Sequence, residues 1–132
     1  MAIKYNKATK KFFLTTKNTM YVFQIVHEKF LGHIYYGQKK RGFDPDFYEH
    51  NGSFSPYFEE ETSSFSLNEA YTEYSYFGSG DFRCTSLRLR NSDGNACTLF
   101  FYKSHRIIKG RVPISGMPYA EVKDGDETLE IT

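Results

Sequence analysis

Short apolar runs separated by turn residues recur along this chain, and their period is that of strands rather than helices. Phe12-Phe13-Leu14-Thr15 ends at the polar turn Thr16-Lys17-Asn18. In residues 20–26, Tyr21, Phe23 and Ile25 fall on one face, and Met20, Val22 and Val26 on the other. Both faces are apolar, which predicts a strand covered on each side and central in a sandwich. His27-Glu28-Lys29 then turns the chain into residues 30–37, where Ile34 and Tyr36 alternate against His33 and Tyr35. Together these runs predict an antiparallel meander.

From 38 to 70 the pattern lapses. Lys39-Lys40-Arg41-Gly42 reads as a charged turn, and Asp44-Pro45-Asp46-Phe47 as one helical turn, with Asp44 as cap and Pro45 at the first position. The acidic run Glu59-Glu60-Glu61 reads as a solvated loop tip, because three successive carboxylates do not converge on one ion unaided. A patternless stretch this long is more often functional or partner-bound than idle. Residues 65–83 mix aromatics, glycines and an Asp/Arg pair in a form that suits neither helix nor regular strand. That predicts a segment crossing the surface, where rings beside Asp81 and Arg83 suit either sugar contacts or an interface.

The strand pattern returns at 85–90, 98–103 and 104–109. The first two flank Asp93-Gly94 and predict a hairpin. Gly110, Pro113, Gly116 and Pro118 mark a further loop. In 127–132, Leu129 and Ile131 point one way and the alternation stops unfinished, as expected of a domain that continues past Thr132.

With 132 residues the chain is one domain's worth of core. Its net charge of +1 gives no electrostatic footprint for nucleic acid. Aromatics make up 18% of the chain, all Tyr and Phe with no Trp, which suits half-buried β surfaces. No signal peptide or membrane span is evident, so a soluble, cytoplasmic protein is expected. In the predicted hairpin Cys84 and Cys97 lie on the order of 16 Å apart at strand rise, too far to bridge.

The four histidines, His27, His33, His50 and His105, form no pair at metal-ligand spacing, and no cofactor motif occurs. Gly78-Ser79-Gly80 lacks the third glycine of a phosphate loop and any following helix. Glycosidic cleavage needs two carboxyls flanking one bond, whereas Asp81 is a single acid placed among aromatics. No catalytic constellation is predicted. For Asp81 and Arg83 an ion pair or loop staple outweighs direct substrate contact. Tyr74, Tyr76 and Phe82 are the candidates for exposed or interface rings.

Several pieces stand in a recognisable order: residues 16–23, 33–37, Phe54-Ser55-Pro56, Phe65-Ser66-Leu67, Glu73-Tyr74, residues 78–83, His105-Arg106-Ile107, Gly116-Met117-Pro118 and residues 127–131. The series, which covers essentially the whole chain, resembles the N-terminal domain of bacterial alpha-galactosidases of glycoside hydrolase family 36. The resemblance implies a β-supersandwich over 1–132 leading into a catalytic (β/α)-barrel that this chain lacks. It also implies removal of terminal α-galactose, as from melibiose or raffinose, by two barrel aspartates acting with retention. The nucleophile's Lys-Trp-Asp motif cannot lie in a chain without Trp, so this chain alone is expected to be inactive.

Members of that family are commonly tetramers, in which loops of this domain reach towards a neighbour's active site. Some carry an Asp before the Phe-Ser-Pro motif and an Arg after it; the matching positions here are Asn51 and Ser63, which differ in charge. Ser75 stands where a Pro is usual, and Tyr119 also departs from the pattern. The substrate-proximal or interface candidates are therefore Asn51, Phe54, Ser63, Tyr74, Asp81, Phe82 and Arg83. The expected partners are the barrel, further copies of the chain and, through the barrel, a galactoside. A stand-alone carbohydrate-binding module and a purely structural interaction domain are the alternatives.

Overall fold

The computed structural model describes residues 1–49, 65–76, 81–118 and 123–132. Its regular elements are all strands: β1 (Ala2–Asn6), β2 (Lys11–Thr15), β3 (Thr19–Val26), β4 (Phe30–Gln38), β5 (His105–Lys109) and β6 (Glu127–Ile131). The first four form one antiparallel sheet in the order β1-β2-β3-β4, and β5 pairs with β6 in a second. The expected all-β antiparallel fold is the observed one. β1 is a strand that the apolar pattern did not announce, because only Ile3 and Tyr5 carry its inward face. Among the described residues no helix is long and apolar enough to cross a membrane.

Side chains and backbone sign set the three turns of the large sheet. Asn6 Oδ1 accepts the N–H of Ala8 at 3.1 Å, and Thr16 Oγ1 accepts that of Thr19 at 2.9 Å. Between β3 and β4, His27 and Glu28 adopt φ of 48° and 58°, and the N–H of Lys29 donates to the carbonyl of Val26 at 3.1 Å. This is the primed turn whose twist matches that of the flanking strands.

The alternation expected within β4 is interrupted. Val22 faces Tyr35 but Phe23 faces His33, so Ile34 is an extra residue, and the bulge shifts every later side chain by one position. His33 and Tyr36 thereby join one face, with ring centroids 5.5 and 6.0 Å from Tyr21.

β3 is buried on both faces, as its pattern predicted. Against one face Phe12, Phe23, Ile25 and Leu31 form a cluster joined by Leu129 and Ile131 from β6. His105 of β5 completes that contact, its ring 4.7 Å from Phe12, so the two sheets share this core. Beyond the turn end of the sheet, Val26 and Phe30 pack with Phe65, Leu67, Ala70 and Tyr76.

Three expectations need correction. Residues 44–47 form no helical turn, because Asp44 and Asp46 turn their carboxylates to Lys11 instead of capping. The 85–90 and 98–103 strands do not form. The turn itself closes, with the N–H of Asn91 donating to the carbonyl of Asn95 at 2.8 Å, but Leu87 and Leu89 remain exposed instead of packing into the core. A lone two-stranded hairpin is marginal, and Tyr102 and Lys103 instead donate their N–H groups to Lys29 and Thr132. Cys84 and Cys97 are both free and exposed, and the ladder from which their separation was derived is not there.

Candidate functional site

Residues 65–76 do more than cross the surface. Phe65, Leu67, Ala70 and Tyr76 are buried, and Phe65 stacks on Phe30 at 5.3 Å between centroids. The chain then runs along β4: the N–H of His33 donates to the carbonyl of Tyr71 at 2.6 Å, and that of Glu73 to Leu31 at 2.8 Å. Gly32 and Thr72 form an isolated antiparallel bridge between these contacts. Tyr76, expected as an exposed or interface ring, is a core residue. Burial, with Tyr74 and Asp81 adding and Arg83 opposing, pushes its phenol up to about 12.

Asp81 and Arg83 form the ion pair weighed from the sequence. The Asp81 side chain is fully buried, and the guanidinium donates to it from Nε at 2.9 Å and Nη2 at 2.8 Å. The N–H groups of Tyr76 and Arg83 also donate to that carboxylate, at 3.2 and 3.1 Å. Burial alone drives the carboxyl up; Arg83 and the two N–H groups more than reverse this and hold it below the usual carboxylate range. Arg83 also donates from Nη1 to the Ala70 carbonyl at 2.7 Å and from Nη2 to Thr72 Oγ1 at 3.0 Å. One guanidinium thus ties residues 81–83 to 70–72.

Phe82 lies between the two members of this pair, and its ring is 75% exposed. Its N–H donates to Asn68 Oδ1 at 3.1 Å, so the backbone is fixed while the ring stands in solvent. Tyr74 is half exposed and lines a cleft of about 400 Å³ together with Tyr76, Phe100, Phe101, Lys29 and Ile131. Burial first, then Glu73, pushes the Tyr74 phenol up. Ser75 uses what a proline lacks: its N–H donates to Ser86 Oγ at 3.3 Å, and its hydroxyl donates to the carbonyl of Cys84. Asn51, Phe54 and Ser63 lie outside the described residues, as do Tyr119 and the acidic run 59–61.

Two polar clusters escaped the sequence reading. Glu73 accepts a hydrogen bond from the Tyr21 hydroxyl and lies 3.1 Å from His33 Nδ1. Burial and this carboxylate together raise the Tyr21 pKa. Strand period put Tyr21 and His33 on definite faces, but no local signal tied Glu73 to them. The second cluster is Lys11, whose Nζ lies 2.9 Å from Asp44 Oδ1 and 2.7 Å from Asp46 Oδ1. Its burial opposes the charge, but Asp46 and Asp44 outweigh that and raise the pKa. A lysine opening a β-run, with two aspartates flanking a proline downstream, was the one available hint. Among the described residues no group of three or more His, Cys, Asp or Glu is placed to hold a metal.

Residues 29–132 match the profile of the glycosyl hydrolase family 36 N-terminal domain. Alpha-galactosidase AgaA of Geobacillus stearothermophilus is 34% identical over 99% of this chain, which spans 18% of that protein. The crystal structure of alpha-galactosidase AgaB from the same organism superposes with a TM-score of 0.90 at 35% identity, over 99% of this chain and 18% of its own. A variant of AgaA solved in complex with raffinose superposes with a TM-score of 0.81 at 33% identity, over 92% of this chain and 18% of its own.

Proposed function

Because the chain belongs to the glycosyl hydrolase family 36 N-terminal domain, we propose that it serves as the non-catalytic N-terminal β-sandwich of a retaining alpha-galactosidase. In this reading the parent enzyme hydrolyses terminal α-galactosides of the melibiose and raffinose type. Both reacting carboxyls belong to a barrel beyond this chain, which by itself is inactive. The domain shapes the active-site entrance and takes part in the assembly of a cytoplasmic homo-oligomer, a tetramer by analogy with the family. Asn51, Phe54, Ser63, Tyr74 and Phe82 are its contact candidates, and Asp81 and Arg83 fix the geometry of the last.

The observation that carries this reading is the Phe82 ring, 75% exposed on a backbone held by Asn68 and by the Asp81–Arg83 pair. A solvent-exposed aromatic on an anchored backbone is the kind of group that anchors an interface. The test is Phe82→Ala in the full-length enzyme, assayed for kcat/KM on raffinose and for subunit state by sedimentation. A loss in either supports the reading, and no change in both contradicts it.

The aromatic cleft beside Tyr74 favours a second reading, a carbohydrate-binding module. Titrating raffinose into the isolated chain separates the two: saturable binding favours the module, and its absence favours the entrance and assembly role.

A further inference from the structure

Where β3 begins and β4 ends, Lys17, Lys39, Lys40 and Arg41 gather with Asn18 and Gln38 around a concavity of about 600 Å³. All four cations are exposed. Among the described residues no carboxylate lines this space, and none of the four forms an ion pair. Lys10, Lys11, Arg83 and Arg106, by contrast, each meet an acid. The acid nearest along the chain, Asp44, turns its carboxylate to Lys11 Nζ at 2.9 Å.

The two segments that carry these charges are fixed to one another. Thr16 Oγ1 accepts the N–H of Asn18 at 3.3 Å as well as that of Thr19, which sets the turn bearing Lys17. The N–H of Lys39 donates to the Asn18 carbonyl at 2.8 Å, one step past the Thr19–Gln38 pair of the ladder. The Lys40 ammonium lies over two rings, 5.0 Å from the centroid of Tyr35 and 4.7 Å from that of Phe43, and both contacts hold a long side chain in place.

Like charges held this close repel one another, so the arrangement favours a multivalent anion that relieves the repulsion. A concave wall of one sign also concentrates such an anion. A phosphate group suits the donor set, because its oxygens accept from ammonium groups, from the planar fork of Arg41 and from the amides of Asn18 and Gln38 together. We propose that this rim is a binding site for a phosphate group, either the free ion or a monoester on a small molecule.

The test is a titration of the chain with inorganic phosphate at neutral pH, with sodium chloride adjusted to hold the ionic strength constant. The amide resonances of Asn18 and Lys39 report binding, and those of β3 report the fold. Saturable shifts at both sites, with half-saturation on the order of 1 mM, are expected. Lys39→Ala and Lys17→Ala should each weaken binding roughly fivefold. Lys7→Ala removes the same charge from the turn between β1 and β2, at the other end of the sheet, and should change binding by less than about twofold. A hexose monophosphate that binds more tightly than inorganic phosphate identifies the monoester as the ligand; equal binding identifies the free ion. Shifts that fail to saturate, that chloride reproduces at equal ionic strength, or that Lys7→Ala weakens as much as Lys39→Ala overturn the proposal.

Discussion

The β1–β4 sheet and the 65–83 segment carry similar loads of aromatic residues but are held in opposite ways. The sheet is a continuous ladder in which β2 and β3 are hydrogen-bonded on both sides and β1 and β4 form its edges, so its backbone is ordered without help from side chains. Among its described residues the segment meets β4 through the backbone of Tyr71 and Glu73, and side chains supply its other ties: Arg83 on Ala70 and Thr72, Asp81 on Tyr76, and Asn68 on Phe82. A ladder tolerates the loss of one side chain's polar group. A segment tied largely by side chains tolerates such a loss less well, and it holds an apolar ring in solvent, which a half-buried strand seldom does.

The comparison breaks first in the core the two regions share. Phe30 and Phe65 are each at most 1% exposed and stacked on one another. Truncating either to Ala should cost about 3–5 kcal/mol in urea unfolding. The double variant should lose less than the sum, because the rings are in contact. If Phe65→Ala instead behaves as a surface change, the segment is not core.

Gly32→Ala comes next. The new methyl meets the Phe47 ring and Val26 at 2.5 and 2.7 Å, so about 1–3 kcal/mol is expected, with Phe47 displaced. Loss of protection at the Phe47 amide, measured by hydrogen exchange, checks the mechanism.

The acid limb of stability sharpens the contrast further. The pKa of Asp81 is lowered from 3.8, so its contribution is complete above that value and is lost as pH falls through the depressed folded one. Urea midpoints measured from about pH 5 to pH 2 should therefore fall less steeply in Asp81→Asn than in the parent. Equal slopes would remove Asp81 from the account. The smallest effect belongs to Ser75→Pro, which deletes the exposed hydrogen bonds to Ser86 and Cys84 and should cost about 1 kcal/mol in the same assay.

What could be read in the sequence follows the same division. β2, β3, β4, β5 and β6 were legible because burial in a sheet imposes period two, and the resemblance reached the family. The bulge at Ile34 was not, since one extra residue leaves composition and spacing of the run intact. Residues 85–103 misled because turn chemistry is local whereas a ladder needs a face to pack on. Tyr76 was misjudged because a pinned segment buries residues at irregular intervals, chosen by tertiary contacts. Of the candidate site, the Asp81–Arg83 pair could be weighed from spacing alone, but its attachment to Ala70 and Thr72 could not. Lys11 finds its partners 33 and 35 residues away, and Glu73 its partners 52 and 40 residues away, where no periodicity reaches.

The central claim is that residues 81–83 divide into a pair that holds and a ring that is presented. Thermal unfolding of Arg83→Ala beside Phe82→Ala, each in the isolated chain so that loss of a subunit contact does not register as lost stability, tests it most directly. Arg83→Ala strands a buried carboxylate and should lower stability by about 3 kcal/mol, while Phe82→Ala should stay within about 0.5 kcal/mol of the parent. Equal losses, or a larger loss for Phe82→Ala, would contradict the division.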